Sequence, residues 1–303
     1  MQTIYPTLLP APRVQFARER WDTPDGDFVD VDWTGNAGAA RLLVLFHGLE
    51  GSSASHYARS LAAHATALGW ACAVPHFRGC SGEPNRLPRA YHSGDSDEID
   101  WLLRRFAERH PAAQRCAAGV SLGGNALLKW LGERGADAAA VIARAAAISA
   151  PLDVTATGNA LDRGLNRWLY ARMFLGSLKR KTLAKLTHYP QLVDARAVRA
   201  SATLRAFDDA VTAPLHGFEG TDDYWARASS KPWLTGIAVP TLVLNARNDP
   251  FLPAAALPRA HQVSRSVVLD FPAEGGHAGF VSGAFPGSRR WLSGHILEFL
   301  STP

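Results

Sequence analysis

The chain has 303 residues, 47% of them hydrophobic and 19% charged, with a formal net charge of +5. That balance excludes a disordered or collagen-like chain, because apolar residues suffice for a core, glycine has no fixed period and the net charge is small. The length suits one large α/β core with an inserted segment. The three cysteines, Cys72, Cys80 and Cys116, cannot all pair with one another and stand in no metal-ligand spacing, so a reducing compartment and no structural metal are expected. Met1 to Pro6 lack the basic and apolar regions of a secretory signal, and no apolar run approaches the ~20 residues of a membrane span. A cytoplasmic location is the expectation.

In chain order, residues 27–33 alternate apolar and polar, which predicts an antiparallel edge strand with one wet face. From residue 41 the pattern changes to continuous apolar runs at 42–46, 71–74, 115–120, 144–148, 241–244 and 266–269, as expected for parallel strands buried on both faces. Helical patterns fall between them at 55–68, 96–109, 123–134, 254–261 and 288–300. The alternation predicts a mostly parallel, doubly wound α/β sheet with its ligand site outside the carboxyl ends of the strands.

The alternation stops between residues 153 and 236, where no strand run occurs and Leu161, Leu165, Trp168, Leu169 and Met173 recur at spacings of three and four. This predicts an inserted helical cap, with a core of residues 1–152 and 237–303 and a lid helix at 161–173 packed by Trp168 and Leu169. Ten Lys or Arg against Asp162 and Asp194 give residues 160–206 a charge of +8. The simplest reading is a solvated face; a transient contact with an anionic membrane surface is the functional alternative. No nucleic-acid motif accompanies the charge, so no nucleic-acid partner is expected.

The strongest chemical signal is Gly119-Val120-Ser121-Leu122-Gly123 at a strand-to-helix junction. A sharp turn there exposes the serine at a helix N-terminus, where free N–H groups favour developing negative charge, and the flanking glycines give the turn room. A hydrolytic serine also needs a base, an orienting acid and oxyanion donors. His47-Gly48-Leu49-Glu50-Gly51 follows another strand and can offer the N–H of Leu49, with that of Leu122 as the second donor; His47 itself is expected to brace the turn. Asp249, after the run 241–244, is the expected acid, with Asp153 as competitor. His277, in the loop Glu274-Gly275-Gly276-His277-Ala278-Gly279, is the expected base, whereas His295 lies in the last helix and reads as ordinary structure.

These blocks, together with Phe77-Arg78-Gly79-Cys80-Ser81-Gly82-Glu83, Asn85-Arg86, Tyr91-His92-Ser93-Gly94 and Asn248-Asp249-Pro250, resemble the motifs of YheT-like α/β-hydrolases over about residues 40–300. The order Ser121, Asp249, His277 agrees with that family. The resemblance implies an α/β-hydrolase fold and a carboxylesterase acting on short- to medium-chain acyl or lipid esters, with no cofactor expected, and it names no physiological substrate. Acyl transfer to an alcohol by the same three residues is one alternative, and a non-catalytic module binding lipid or a partner through the basic cap is another. Arg78 with Asp95, Asp97 and Asp100 reads either as an ion-pair network bracing the loops or, for the aspartates, as a solvated helix N-terminus suited to the dipole, and Cys80 reads as a small buried or turn residue rather than a reactive thiol.

Overall fold

A computed structural model of the chain describes residues 2–302. Eight strands form a single sheet in the order β1-β2-β4-β3-β5-β6-β7-β8. They are β1 (Ala17–Asp22), β2 (Phe28–Thr34), β3 (Arg41–Phe46), β4 (Ala71–Pro75), β5 (Gln114–Val120), β6 (Arg144–Ile148), β7 (Thr241–Leu244) and β8 (Val267–Asp270). The β1-β2 and β2-β4 pairs are antiparallel and all others parallel. The six apolar runs are therefore β3 to β8. The apolar residues of β3 to β7 are buried on both faces, whereas β8 is an outer strand of the sheet and leaves Val268 half exposed, so the expected burial on both faces fails there. In β3, Leu42, Val44 and Phe46 enter the core on one face of the sheet while Leu43 and Leu45 enter the core on the other.

Residues 27–33 do form an antiparallel strand, yet β2 is neither at the edge nor wet on one face. β1 covers its outer side, and both Asp30 and Asp32 are buried. Arg20 and Arg18 of β1 reach across to them, each with its Nε 2.7 Å from the carboxylate. The alternating polar positions thus face arginines rather than water.

The connecting helices are α1 (His56–Ala67), α2 (Ser96–Arg109) and α3 (Leu122–Arg134), and α8 (Arg290–Ser301) closes the chain. The helix expected at 254–261 is instead two short 3-10 turns, Ala254–Ala256 and Ala260–Gln262. Pro258 stands between them, and its missing N–H and fixed φ stop an α-helix there.

Between β6 and β7 every regular element among the described residues is helical, including α4 (Val154–Leu161), α5 (Arg172–Lys185), α6 (Ala195–Ala200) and α7 (Thr221–Ala228). One turn of α-helix, Gly164–Asn166, and one of π-helix, Arg167–Ala171, run directly into α5, making one helical rod from Gly164 to Lys185. Leu161, Ala171, Leu175, Val198 and Phe207 build a small core of their own here, into which Phe251 from beyond β7 inserts. Trp168 and Leu169 do not pack as expected: they are exposed, as are Leu165 and Met173. The chain breaks at Asp162 and turns through Gly164 at φ +52°, so the face that Leu161 buries does not continue into the rod. Among the described residues no helix is long and apolar enough to cross a membrane.

Candidate active site

Ser121 lies between β5 and α3 with φ 54° and ψ −123°, a strained conformation for a residue with a Cβ. The ladder holds it there, because its N–H donates to Ile148 O of β6 at 2.8 Å. The crossing is tight enough to explain the glycines. A Cβ on Gly123 would lie 2.5 Å from His47 O, and one on Gly119 would lie 2.5 Å from Gly123 O. Only bare backbone lets α3 start this close to β3.

Ser121 Oγ donates to His277 Nε2 at 2.9 Å, and His277 Nδ1–H donates to Asp249 Oδ2 at 2.9 Å. The structure thus brings together the three residues singled out in the sequence. Each is held from behind. Asp249 Oδ1 accepts from the Phe251 N–H at 2.8 Å, and the Phe251 ring packs against the His277 ring with centroids 4.0 Å apart and planes tilted by 31°. Asn248 Oδ1 accepts from the N–H groups of Gly275 and Gly276, fixing the loop before His277, while the His277 N–H itself donates to Thr3 Oγ1 at 3.0 Å. Asp153 is elsewhere, capping α4 through the Ala156 N–H, and His295 pairs with Asp270.

The turn after β3 lies against Ser121, since a Cβ on Gly48 would come 3.0 Å from the serine Cβ. His47 braces it as expected. Its Nδ1–H donates to Gly48 O at 2.8 Å and its Nε2 accepts the Phe77 N–H at 3.1 Å; burial pushes its pKa down to about 3, so the ring stays neutral. Tyr57 and Tyr91 hydroxyls accept the N–H groups of Gly48 and Glu50 at 2.9 Å each. Among the described residues, no protein acceptor takes the N–H of Leu49 or of Leu122, and both residues line the cavity with Ser121 and His277.

That cavity is about 110 Å³ and largely apolar, walled by Leu49 and Leu122 from below and by Leu161, Phe174, Leu178, Leu204 and Trp225 from the helical segment above. A second cavity of about 470 Å³, lined by Cys80, Lys181 and Leu192, adjoins it at Tyr91, Leu178 and Phe207. Two polar residues here escaped the sequence reading. Glu50, in the turn at φ 56°, pairs with Lys181 of α5 at 2.8 Å and also binds Ser177 and Tyr91, tying α5 to the turn. Asp208 faces the cavity, accepting from Thr212 Oγ1 at 2.6 Å and Trp225 Nε1 at 2.8 Å; burial pushes its carboxyl up to about 7. The Asp208-Asp209 doublet beside a basic stretch was the only signal for it.

Arg78 does not pair with Asp95, Asp97 or Asp100. Its partners are Glu98 at 2.6 Å, Asp25 at 2.7 Å and Asp27 at 3.2 Å. Glu98 is on the face of α2 that turns inward, whereas Asp97 is exposed, Asp95 pairs with Arg89, and Asp100 pairs with Arg104 and Arg134. The buried Arg78 cluster anchors the loop that delivers Tyr91 and Ser93 to the cavity. Burial pushes the Cys80 thiol up to about 11, which disfavours the thiolate a reactive cysteine needs. Among the described residues no group of three His, Cys, Asp or Glu is placed to hold a metal ion.

Residues 41–284 match the family model of the alpha/beta hydrolase fold. The chain belongs to the α/β-hydrolase family. Within that family it is 38% identical to YheT of Escherichia coli (strain K12), an esterase by name, over the whole of this chain and 90% of that one. It is 31% identical to the phospholipase ABHD3 of Mus musculus, across 97% of this chain and 74% of the other. Among solved structures, a Pyrococcus furiosus esterase superposes with a TM-score of 0.61 at 16% identity, covering 95% of this chain and 91% of that one, which establishes the common fold.

Proposed function

We propose that the chain is a serine carboxylic ester hydrolase acting through an acyl-enzyme on Ser121, with short- to medium-chain acyl or lipid esters as substrates. The observation that carries the reading is the unbroken relay Asp249–His277–Ser121 opening onto an apolar cavity beside two unspent backbone N–H groups. His277 takes the Ser121 proton as Oγ attacks the acyl carbon, then returns it to the leaving alkoxide. A water, deprotonated by the same Nε2, then cleaves the acyl-enzyme. Asp249 keeps the Nδ1 proton directed away from Ser121 and stabilises the imidazolium. The N–H groups of Leu49 and Leu122 receive the oxyanion, a contribution of about 3–4 kcal/mol per donor in comparable sites. Residues 153–236 act as a cap on a core formed by 1–152 and 237–303, and Phe174, Leu178 and Trp225 enclose the acyl chain.

The relatives named as esterase, phospholipase and monoacylglycerol lipase support an ester substrate. The test is labelling with a fluorophosphonate followed by peptide mass spectrometry, on wild type, Ser121→Ala and His277→Ala, beside a p-nitrophenyl ester panel of increasing chain length. Adduct on the Ser121 peptide, with turnover lost in both variants, is the expected result. A folded wild type that neither labels nor turns over any ester would overturn the reading, and ester formation on adding an alcohol would redirect it to acyl transfer.

A further inference from the structure

The helical rod Gly164–Lys185 has two apolar faces. The inner one buries Ala171 and Leu175 and presents Phe174 and Leu178 to the cavity. The outer one leaves Leu165 77%, Trp168 69%, Leu169 51% and Met173 60% exposed. A soluble helix usually turns charged side chains outward, so four large apolar residues in three turns call for a partner. Among the other large apolar side chains of the described residues only single, scattered exposures occur, such as Leu68 and Phe285.

The charges around this stripe identify the partner. Arg163, Arg167, Arg172 and Arg180 are exposed on or beside it, and among the described residues none has a carboxylate within ion-pair distance. The sequence holds no Asp or Glu from residue 163 to 193. A second copy docking face to face would bring these guanidinium groups against their own counterparts, an unfavourable arrangement for a two-fold contact. Apolar side chains that enter a lipid layer beside cations that meet its headgroups satisfy both features, and Trp168 has the amphipathic ring suited to that boundary.

We propose that the outer face of this rod, centred on Leu165, Trp168, Leu169, Arg167 and Arg172, docks the protein on an anionic lipid surface. The rod lies parallel to the membrane, its cations over the headgroups and its apolar stripe among the upper acyl carbons. Because the inner face of the same rod walls the cavity, the lipid surface lies directly above the helical roof of the site.

The test is co-sedimentation of the full chain with phosphatidylcholine vesicles, with and without phosphatidylglycerol, at low and high salt. It is independent of any catalytic activity. The expected result is binding to the phosphatidylglycerol vesicles alone, weakened by salt. Arg167→Glu/Arg172→Glu and Leu165→Glu/Trp168→Glu should each reduce partition by about tenfold or more, with unchanged melting temperature. An Arg104→Glu control on α2, remote from the rod, should bind as wild type. Absence of binding, equal binding to phosphatidylcholine alone, or binding untouched by both double variants would overturn the proposal. So would a dimer in sedimentation velocity that Leu165→Glu/Trp168→Glu converts to monomer.

Discussion

Gly123 and Gly176 separate the floor of the cavity from its roof. A methyl on Gly123 would meet His47 O, just past β3, at 2.5 Å, whereas one on Gly176, in the outer face of α5, would meet nothing within 4 Å. The floor is backbone against backbone: Ser121 at positive φ, its N–H in the ladder, and the histidine and aspartate loops each tied by hydrogen bonds. The roof is side chain against side chain, and its polar tie to the oxyanion turn runs through Glu50 with Lys181 and Ser177. The difference teaches that reaction geometry is fixed by closely packed backbone, while the roof rests on side-chain contacts that can be remade at small cost.

The comparison can be broken most severely at the floor. Ser121→Ala or His277→Ala should lower ester turnover by at least about 10⁴-fold while leaving the melting temperature near wild type, read by steady-state kinetics and calorimetry. Next, Gly123→Ala should destabilise the fold by roughly 3 kcal/mol in urea denaturation, because β3 or α3 must move, and the relay with it.

The roof should respond more mildly. The Asp208 carboxyl, held protonated by burial up to about pH 7, ionises near pH 4 in the unfolded chain. The folded state therefore binds the extra proton across that window, and this stabilisation, full below about pH 4, is lost as pH rises to about 7. Asp208→Asn should flatten that slope, read as the difference in stability between pH 4 and pH 7 in urea denaturation. Lys181→Met unties α5 from Glu50 and should shift KM for a soluble ester severalfold with kcat held within about twofold, the signature of altered access. At the smallest end, Gly176→Ala should stabilise the protein by about 0.5–1 kcal/mol, the ordinary gain for an unhindered helical site.

What the sequence disclosed follows the same division. β3 to β7 were legible because strands buried on both faces must be apolar throughout, and Ser121, Asp249 and His277 because each sits in a short motif at a strand end; β8 is as apolar in sequence yet lies at the sheet edge with Val268 half exposed. β1 was not legible, since Ala-Arg-Glu-Arg-Trp-Asp reads as surface until Asp30 and Asp32 are placed opposite its arginines. The partners of Arg78 were misjudged for the same reason: Asp25 and Asp27 lie more than fifty positions away in the chain, and the helix face of Glu98 had to be known. Glu50 acts through Lys181, distant by 131 positions, and no local pattern announces such a pair. The roof was legible as helical, but spacing alone does not tell an inward apolar stripe from an outward one. Leu165, Trp168 and Leu169 have the periodicity of core and lie at the surface.

The central claim is that the relay delivers Ser121 as a nucleophile that becomes acylated. Rapid quenching of the protein with p-nitrophenyl butyrate, followed by digestion and mass spectrometry, tests it directly. A burst of p-nitrophenol matching the enzyme concentration, with one butyryl group on the Ser121 peptide and none in Ser121→Ala, is the predicted result. Steady turnover with Ser121 unmodified, or an acyl group on another residue that Ser121→Ala leaves in place, would contradict the account.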